Sequence, residues 1–155
     1  MTKPAQSLPV LNGKTDPWYS QGLQFGCTQC GNCCTGAPGY VWITPEDMRK
    51  MAEYLGLAFE EFTRKYVRHF KQGYSLIEKP NFDRIFLERT GGKATCRIYP
   101  VRPTQCRTWP FWKENLKSET AWKKAAETCP GMRDTAAPHY GLEHIEKCKN
   151  HPESP

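Results

Sequence analysis

Two cysteines three positions apart in a tight turn can aim both sulfurs at one metal ion. This chain overlaps two such spacings, at Cys27, Cys30 and Cys33, with Gly26 and Gly31 beside them to let a loop wrap an ion. Cys34 follows directly. Neighbouring side chains on an extended or turning segment tend to diverge, so Cys33 and Cys34 are expected to serve two adjacent centres, or to divide into one ligand and one free, reactive thiol. Four more cysteines lie downstream: Cys96, Cys106, Cys129 (followed by Pro130) and Cys148. Cys129 is the remote candidate to complete the first set. Cys148 is the candidate to complete a second set with Cys34, Cys96 and Cys106. The expectation is metal ligation at all eight, by zinc or by iron in an iron–sulfur cluster.

The competing chemistry is oxidation. Eight cysteines could pair as four disulfides or include inert buried thiols. Three observations argue against a disulfide scaffold. The cysteines are about 5% of the chain, below the level of roughly 8–10% that marks one. The N-terminal stretch has no apolar core of signal-peptide length, and no later run approaches a membrane span. A cytoplasmic, reducing location is therefore expected, where dense cysteines ligate metal.

The remaining chemistry is sparse. Arg97, Arg102 and Arg107 surround the downstream cysteines and are expected to donate to thiolates, the alternative being a solvated basic face. His144 precedes Cys148 by one helical turn, a spacing at which the two could share a metal; His69 and His139 have no identifiable partner. The segment Arg107-Thr-Trp-Pro-Phe-Trp112 is expected to pack around the metal loops; exposed, it would dock a protein partner or stack on nucleic-acid bases. No nucleotide-binding loop, nucleophile elbow or zinc-protease helix is present.

The formal charge of +6 counts thiols as neutral. Eight thiolates holding two zinc ions would contribute about −4 and leave about +2. The basic balance thus mostly offsets an anionic site and is weak evidence for a nucleic-acid partner, and none is expected.

At 155 residues, 38% apolar and 25% charged, the chain is expected to form one small domain. Residues 1–20 read as a flexible arm anchored by Trp18 and Tyr19, residues 21–149 as the metal-binding domain, and residues 150–155 as a frayed tail. Thr44 should cap a helix opening on Pro45, with Ile43 and Met48 as a hydrophobic staple, Met48, Met51, Ala52 and Leu55 inward, and Gly56 as the stop. A second helix is expected over 58–69, burying Phe59, Phe62, Tyr66 and Val67. A hairpin should join 74–77 to 82–88, Gly91-Gly92 should turn, and 96–99 should extend. Pro103 should open a short helical turn carrying Cys106. Ser118 should cap a helix to Thr128, and a last helix should span 139–149. The predicted class is α+β, with short helices and a small antiparallel sheet around a cysteine-rich metal centre.

Three ligands in this rhythm plus a remote Cys-Pro resemble the ligand set of a bacterial ferredoxin cluster. More specifically, Cys27-x2-Cys30-x2-Cys33-Cys34, then Cys96-Arg-Ile-Tyr99-x2-Arg102-Pro103-x2-Cys106-Arg107, Trp109-Pro110 and Cys129 resemble the YkgJ-type cysteine-cluster family, described as a zinc- or iron-chelating domain. The resemblance runs from Phe25 to about Gly131. It implies that the dispersed cysteines converge. Many relatives carry a further cysteine just ahead of a Phe-Leu pair; here Arg84-Ile85 precedes Phe86-Leu87, and Cys148 or a water would compensate. Similarity to the cysteine-rich part of flagellin lysine methylases implies that such a module can hold an iron–sulfur cluster assisting methyl transfer. The expected function is metal binding with a structural, redox or metal-transfer role. The alternatives are an iron–sulfur-assisted protein-modifying enzyme of the methyl-transfer type and a zinc-stabilised module that binds nucleic acid or protein.

Overall fold

The computed structural model describes residues 15–35, 38–152 and 155. The first fourteen residues of the expected arm, and Glu153 and Ser154 of the expected tail, lie outside them. Trp18 and Tyr19 do pack: the Trp18 indole donates to the Leu116 carbonyl at 2.8 Å, and Tyr19 is buried.

The chain is α+β. In order it forms β1 (Leu23–Gln24), a 3-10 turn (Asn32–Cys34), β2 (Val41–Ile43), α1 (Pro45–Leu55), α2 (Phe59–Tyr66), β3 (Val67–Phe70) and β4 (Gly73–Leu76). There follow β5 (Leu87–Thr90), β6 (Lys93–Cys96), α3 (Thr104–Thr108), α4 (Lys113–Leu116), α5 (Glu119–Thr128), β7 (His139–Tyr140) and α6 (Leu142–Lys149). Three small antiparallel sheets result, with strand orders β1-β7, β2-β4-β3 and β5-β6.

Helix α1 starts where its sequence dictates. The Thr44 hydroxyl accepts from the Asp47 amide and the Asp47 carboxylate accepts from the Thr44 amide, a complete capping box, while Gly56 closes the helix in the left-handed region at φ 68°. Ile43 and Met48 are both buried, as the staple requires. Ser118 caps α5 by accepting from the Ala121 amide.

Three local expectations are corrected. Helix α2 ends at Tyr66, because β-branched Val67 enters β3 and pairs with Leu76; Phe59 is 37% exposed. Of the hairpin between 74–77 and 82–88 only the closing turn forms, with an isolated antiparallel bridge from Glu78 to Arg84. Strand β4 instead pairs with β2 and β3, and β5 pairs with β6 across Gly91-Gly92, whose φ values of 59° and 78° suit a two-residue hairpin turn. The last helix begins at Leu142, with His139 and Tyr140 given to β7.

Two apolar clusters form. The first, built from residues 41–101, gathers Val41, Ile43, Met48, Met51, Phe62, Leu76, Phe86 and Ile98. The second joins both ends of the chain: Tyr19 meets Phe111, Leu116, Trp122, Ala126, Met132 and Ile145. Among the described residues no helix is long and apolar enough to cross a membrane.

Candidate metal centre

Between the two clusters lies a cavity of about 790 Å³. Val41, Leu76, Phe86 and Ile98 wall it from the first cluster, and Phe25, Trp109, Phe111 and Tyr140 from the second. Cys27, Cys33, Cys34, Cys96 and Cys106 all line it. Chain segments far apart in sequence therefore bring five of the eight cysteines to one space.

Backbone bonds hold the 27–34 loop in place. The Gln29 carbonyl accepts from the Ala94 amide of β6 at 2.9 Å, and the Cys34 carbonyl from the Arg84 amide at 2.7 Å. The Asn32 side chain donates to the Thr128 carbonyl at the end of α5 (2.8 Å), and Thr35 donates to Asp83. The Gly26 amide donates to the Gly131 carbonyl at 3.1 Å, and a Cβ on Gly131 would fall 1.9 Å from the Gly26 oxygen. Only glycine permits that crossing.

The thiols sit in surroundings suited to a soft metal. The Gln29 amide, reached through a left-handed φ of 57°, donates to the Cys27 sulfur at 3.4 Å. Cys33 and Cys34 occupy the 3-10 turn, and their sulfurs lie 3.8 Å apart. The expected divergence of these neighbours is thus overturned: the turn brings both thiols to the same side. Two thiolates on one tetrahedral zinc, with bonds of about 2.3 Å, would stand about 3.8 Å apart.

The remaining cysteines are spread around this pair. The thiol of Cys33 is raised by its bond to Cys34 and by burial, with Arg102 opposing. Burial raises Cys96, against the pull of the Ile98 amide and Arg102, and Cys33 adds to the rise. Cys106 is exposed by surface area, yet that surface faces the cavity, and the surrounding protein pushes its thiol up to about 12. Cys96 and Cys33 add to that rise, and Arg102 and Arg84 oppose it. Burial also raises Cys129, against the Trp109 indole, while Cys30 and Cys33 push it further. Raised thiols in a dry site are what a cation would reverse by taking the thiolate form. Cys33 thus acts on Cys96, Cys106 and Cys129 alike. Cys148 stands elsewhere, on α6, with its sulfur 3.5 Å from His144 Nε2; burial raises its thiol and Lys147 opposes.

Two buried donors complete the picture. The Arg102 Nε–H and the Trp109 indole N–H have no hydrogen-bond partner of good geometry. Arg102 acts on Cys33, Cys96 and Cys106, and Trp109 on Cys129, so the acceptors these donors fit are thiolate sulfurs. The donor set thus suits zinc or iron. Among the described residues no three His, Cys, Asp or Glu side chains stand close enough to share one ion. The cysteines are gathered around a cavity without being drawn onto a point.

Of the three arginines singled out in the sequence, Arg102 acts on the thiols. Arg107 lines the cavity and donates to Thr104, and Arg97 donates its amide to the Phe86 carbonyl. Arg84, which the sequence did not flag, lines the cavity, acts on Cys106 and pairs with Glu78. Gln105 was also missed. Its amide accepts from Trp42 N (3.0 Å) and donates to Tyr40 O (2.9 Å), fastening α3, and Cys106 with it, to β2. In the aromatic segment Phe111 is core, and the Trp112 indole donates to the Gln105 carbonyl and the Thr108 hydroxyl. His69 stacks on Tyr74, and His139 bonds the Gln21 carbonyl.

Comparison with known proteins agrees with this chemistry. The chain is 37% identical over 93 residues to an uncharacterized protein of Methanocaldococcus jannaschii, a match covering 60% of this chain and 48% of that protein. The chain thus spans about half the length of that relative. No solved structure matches. Residues 26–130 match the CxxCxxCC family, whose description is "Putative zinc- or iron-chelating domain", and the chain belongs to that family.

Proposed function

We propose that this chain holds zinc, or iron as an iron–sulfur cluster, in the cavity between its two apolar clusters, and that the metal ties the two together. The observation that carries this reading is the convergence of Cys27, Cys33, Cys34, Cys96 and Cys106 on one space whose walls come from both clusters. Cys129 stands near that set, since Cys30 and Cys33 both act on its thiol. Zinc would supply a redox-inert crosslink, and a cluster would supply an electron store. Arg102 and the Trp109 indole would donate to the thiolates and fix their orientation.

Anaerobic purification with metal analysis and an absorption spectrum tests this. A brown protein with acid-labile sulfide identifies a cluster and raises the redox role. A colourless protein with bound zinc identifies a structural centre. Cys30→Ala is expected to remove metal and lower the melting temperature; Cys148→Ala, whose thiol does not line the cavity, is expected to keep the metal and to lower the melting temperature less. Full metal content and unchanged melting in Cys30→Ala would refute the assignment.

A second reading, a protein-modifying enzyme of the methyl-transfer type, draws on the cavity's size. About 790 Å³ is far more than an ion occupies and lies within the range that accommodates small organic molecules. Saturable binding of a methyl donor to the metal-loaded protein would favour it; absence of such binding would leave the metal role alone.

A further inference from the structure

The family match ends at residue 130, and α6 lies beyond it. On α6, His144 and Cys148 are four residues apart, so their side chains share one face of the helix. His144 Nε2 and Cys148 Sγ are 3.5 Å apart. A tetrahedral zinc-class ion with bonds of about 2.3 Å to sulfur and about 2.0–2.1 Å to nitrogen sets these two atoms about 3.5 Å apart. The spacing of the two donors is thus already that of two ligands on one ion.

The imidazole is exposed to solvent and is oriented by two ring contacts. Its ring stacks on Tyr140, with centroids 4.7 Å apart and 29° between planes, and meets Phe111 edge-on at 5.9 Å. Cys148 packs at the edge of the second apolar cluster. His144 also lines the cysteine cavity, whereas Cys148 does not, so the pair straddles the cavity's rim.

We infer that His144 and Cys148 form a second, labile metal site for a borderline divalent ion of the zinc class, at the rim of the cysteine cavity. Neutral imidazole and thiolate are the ligand types such ions prefer. No third His, Cys, Asp or Glu among the described residues joins them, so water fills the remaining positions. Two protein ligands make a weaker, faster-exchanging site than a four-cysteine set, and its place at the rim is where an ion can pause before entering or after leaving the cavity. The inference goes beyond the cavity metal and does not depend on it.

The test uses the full chain as purified, with its resident metal quantified. Zinc is titrated in competition with a chromophoric chelator, while alkylation of each cysteine is followed by peptide mass spectrometry. The expected result is one further zinc equivalent, weaker than the resident metal. His144→Ala and Cys148→Ser should each weaken it by about tenfold or more and leave the resident content unchanged. In the unsubstituted protein, added zinc should slow alkylation of Cys148 at concentrations that leave the other cysteines' rates unaltered. This readout stands even if a variant folds poorly.

No further equivalent, or an equivalent indifferent to both substitutions, overturns the site. Loss of the resident metal in either variant also overturns it, by placing the pair in the main centre. A chain that purifies without resident metal would defeat the cavity assignment alone, since the added equivalent is still read directly.

Discussion

The two apolar clusters are built in opposite ways. The first draws on one unbroken stretch, 41–101, whose first helix carries its own caps and whose strands β3-β4 and β5-β6 are joined by short turns. The second also has local parts, with α5 capped by Ser118, but it is closed by contacts between the two ends of the chain. Tyr19 reaches Glu146 and Lys149 across most of the chain, the Trp18 indole reaches Leu116, and β1 finds β7 through two residue pairs. Large aromatic side chains fill it, with Phe111 stacked on Trp122 at 5.9 Å. A region held by distant contacts carries the higher loop-closure cost, and it is the one a crosslink at the cavity helps most. A metal held in the cavity, as proposed above, would offset part of that closure cost.

Four substitutions or conditions probe that contrast. Phe62 is fully buried in the first cluster and stacks over Phe86. Phe62→Ala should cost about 3–5 kcal/mol. In metal-free protein the loss should be confined to the first cluster, read by hydrogen exchange in α1 and β4; equal loss of protection in α5 and α6 would mean the clusters unfold together without metal. Gly131→Ala places a methyl group against the Gly26 oxygen. It should cost about 1–3 kcal/mol or more and release metal, because it pries the cysteine loop from the second cluster; normal metal content would show that the loop adjusts.

Gln105→Ala removes two hydrogen bonds to β2 and should cost about 1–2 kcal/mol. Metal dissociation should quicken through Cys106 alone, seen as faster alkylation of that thiol; Gln105→Glu, which keeps only the acceptor, should fall between. The smallest effect concerns Asp83. The Thr35 hydroxyl is the main cause of its lowered pKa, burial opposes, and Arg89 assists. A carboxylate depressed on folding stabilises fully above its unfolded value and loses that contribution as pH falls through the folded one. Acidification of the metal-free chain below about 4 should therefore loosen the cysteine loop, and Asp83→Asn should flatten that part of the stability profile.

The uneven construction also decides what was legible in the sequence. Helix α1 could be read to the residue, because Thr44, Pro45 and Gly56 act on neighbours. The cap of α5 and the Gly91-Gly92 turn were legible for the same reason. Strand partners were not: a Pro-Asn turn signal at 80–81 pointed to a hairpin, but local bonds between Asn81 and Asp83 form a loop there, and β4 found partners on either side. The cysteines themselves were visible, and so was the likeness of their pattern to a chelating family. The side-by-side placement of Cys33 and Cys34 was misread because the segment was taken as diverging. Gly31 in the left-handed region starts a 3-10 turn instead. Arg84 and Gln105 bear no motif, and only long-range folding brings them to the site.

Gln105 has a consequence outside metal chemistry. Strand β2 lies at the border of the three-stranded sheet, next to exposed Tyr40. An uncovered border of this kind invites a strand from another molecule. The Gln105 carboxamide occupies two of its backbone groups, as a strand's own peptide would. The residue that seats α3 thereby also covers backbone that another strand could pair with, so one side chain both positions Cys106 and shields that border.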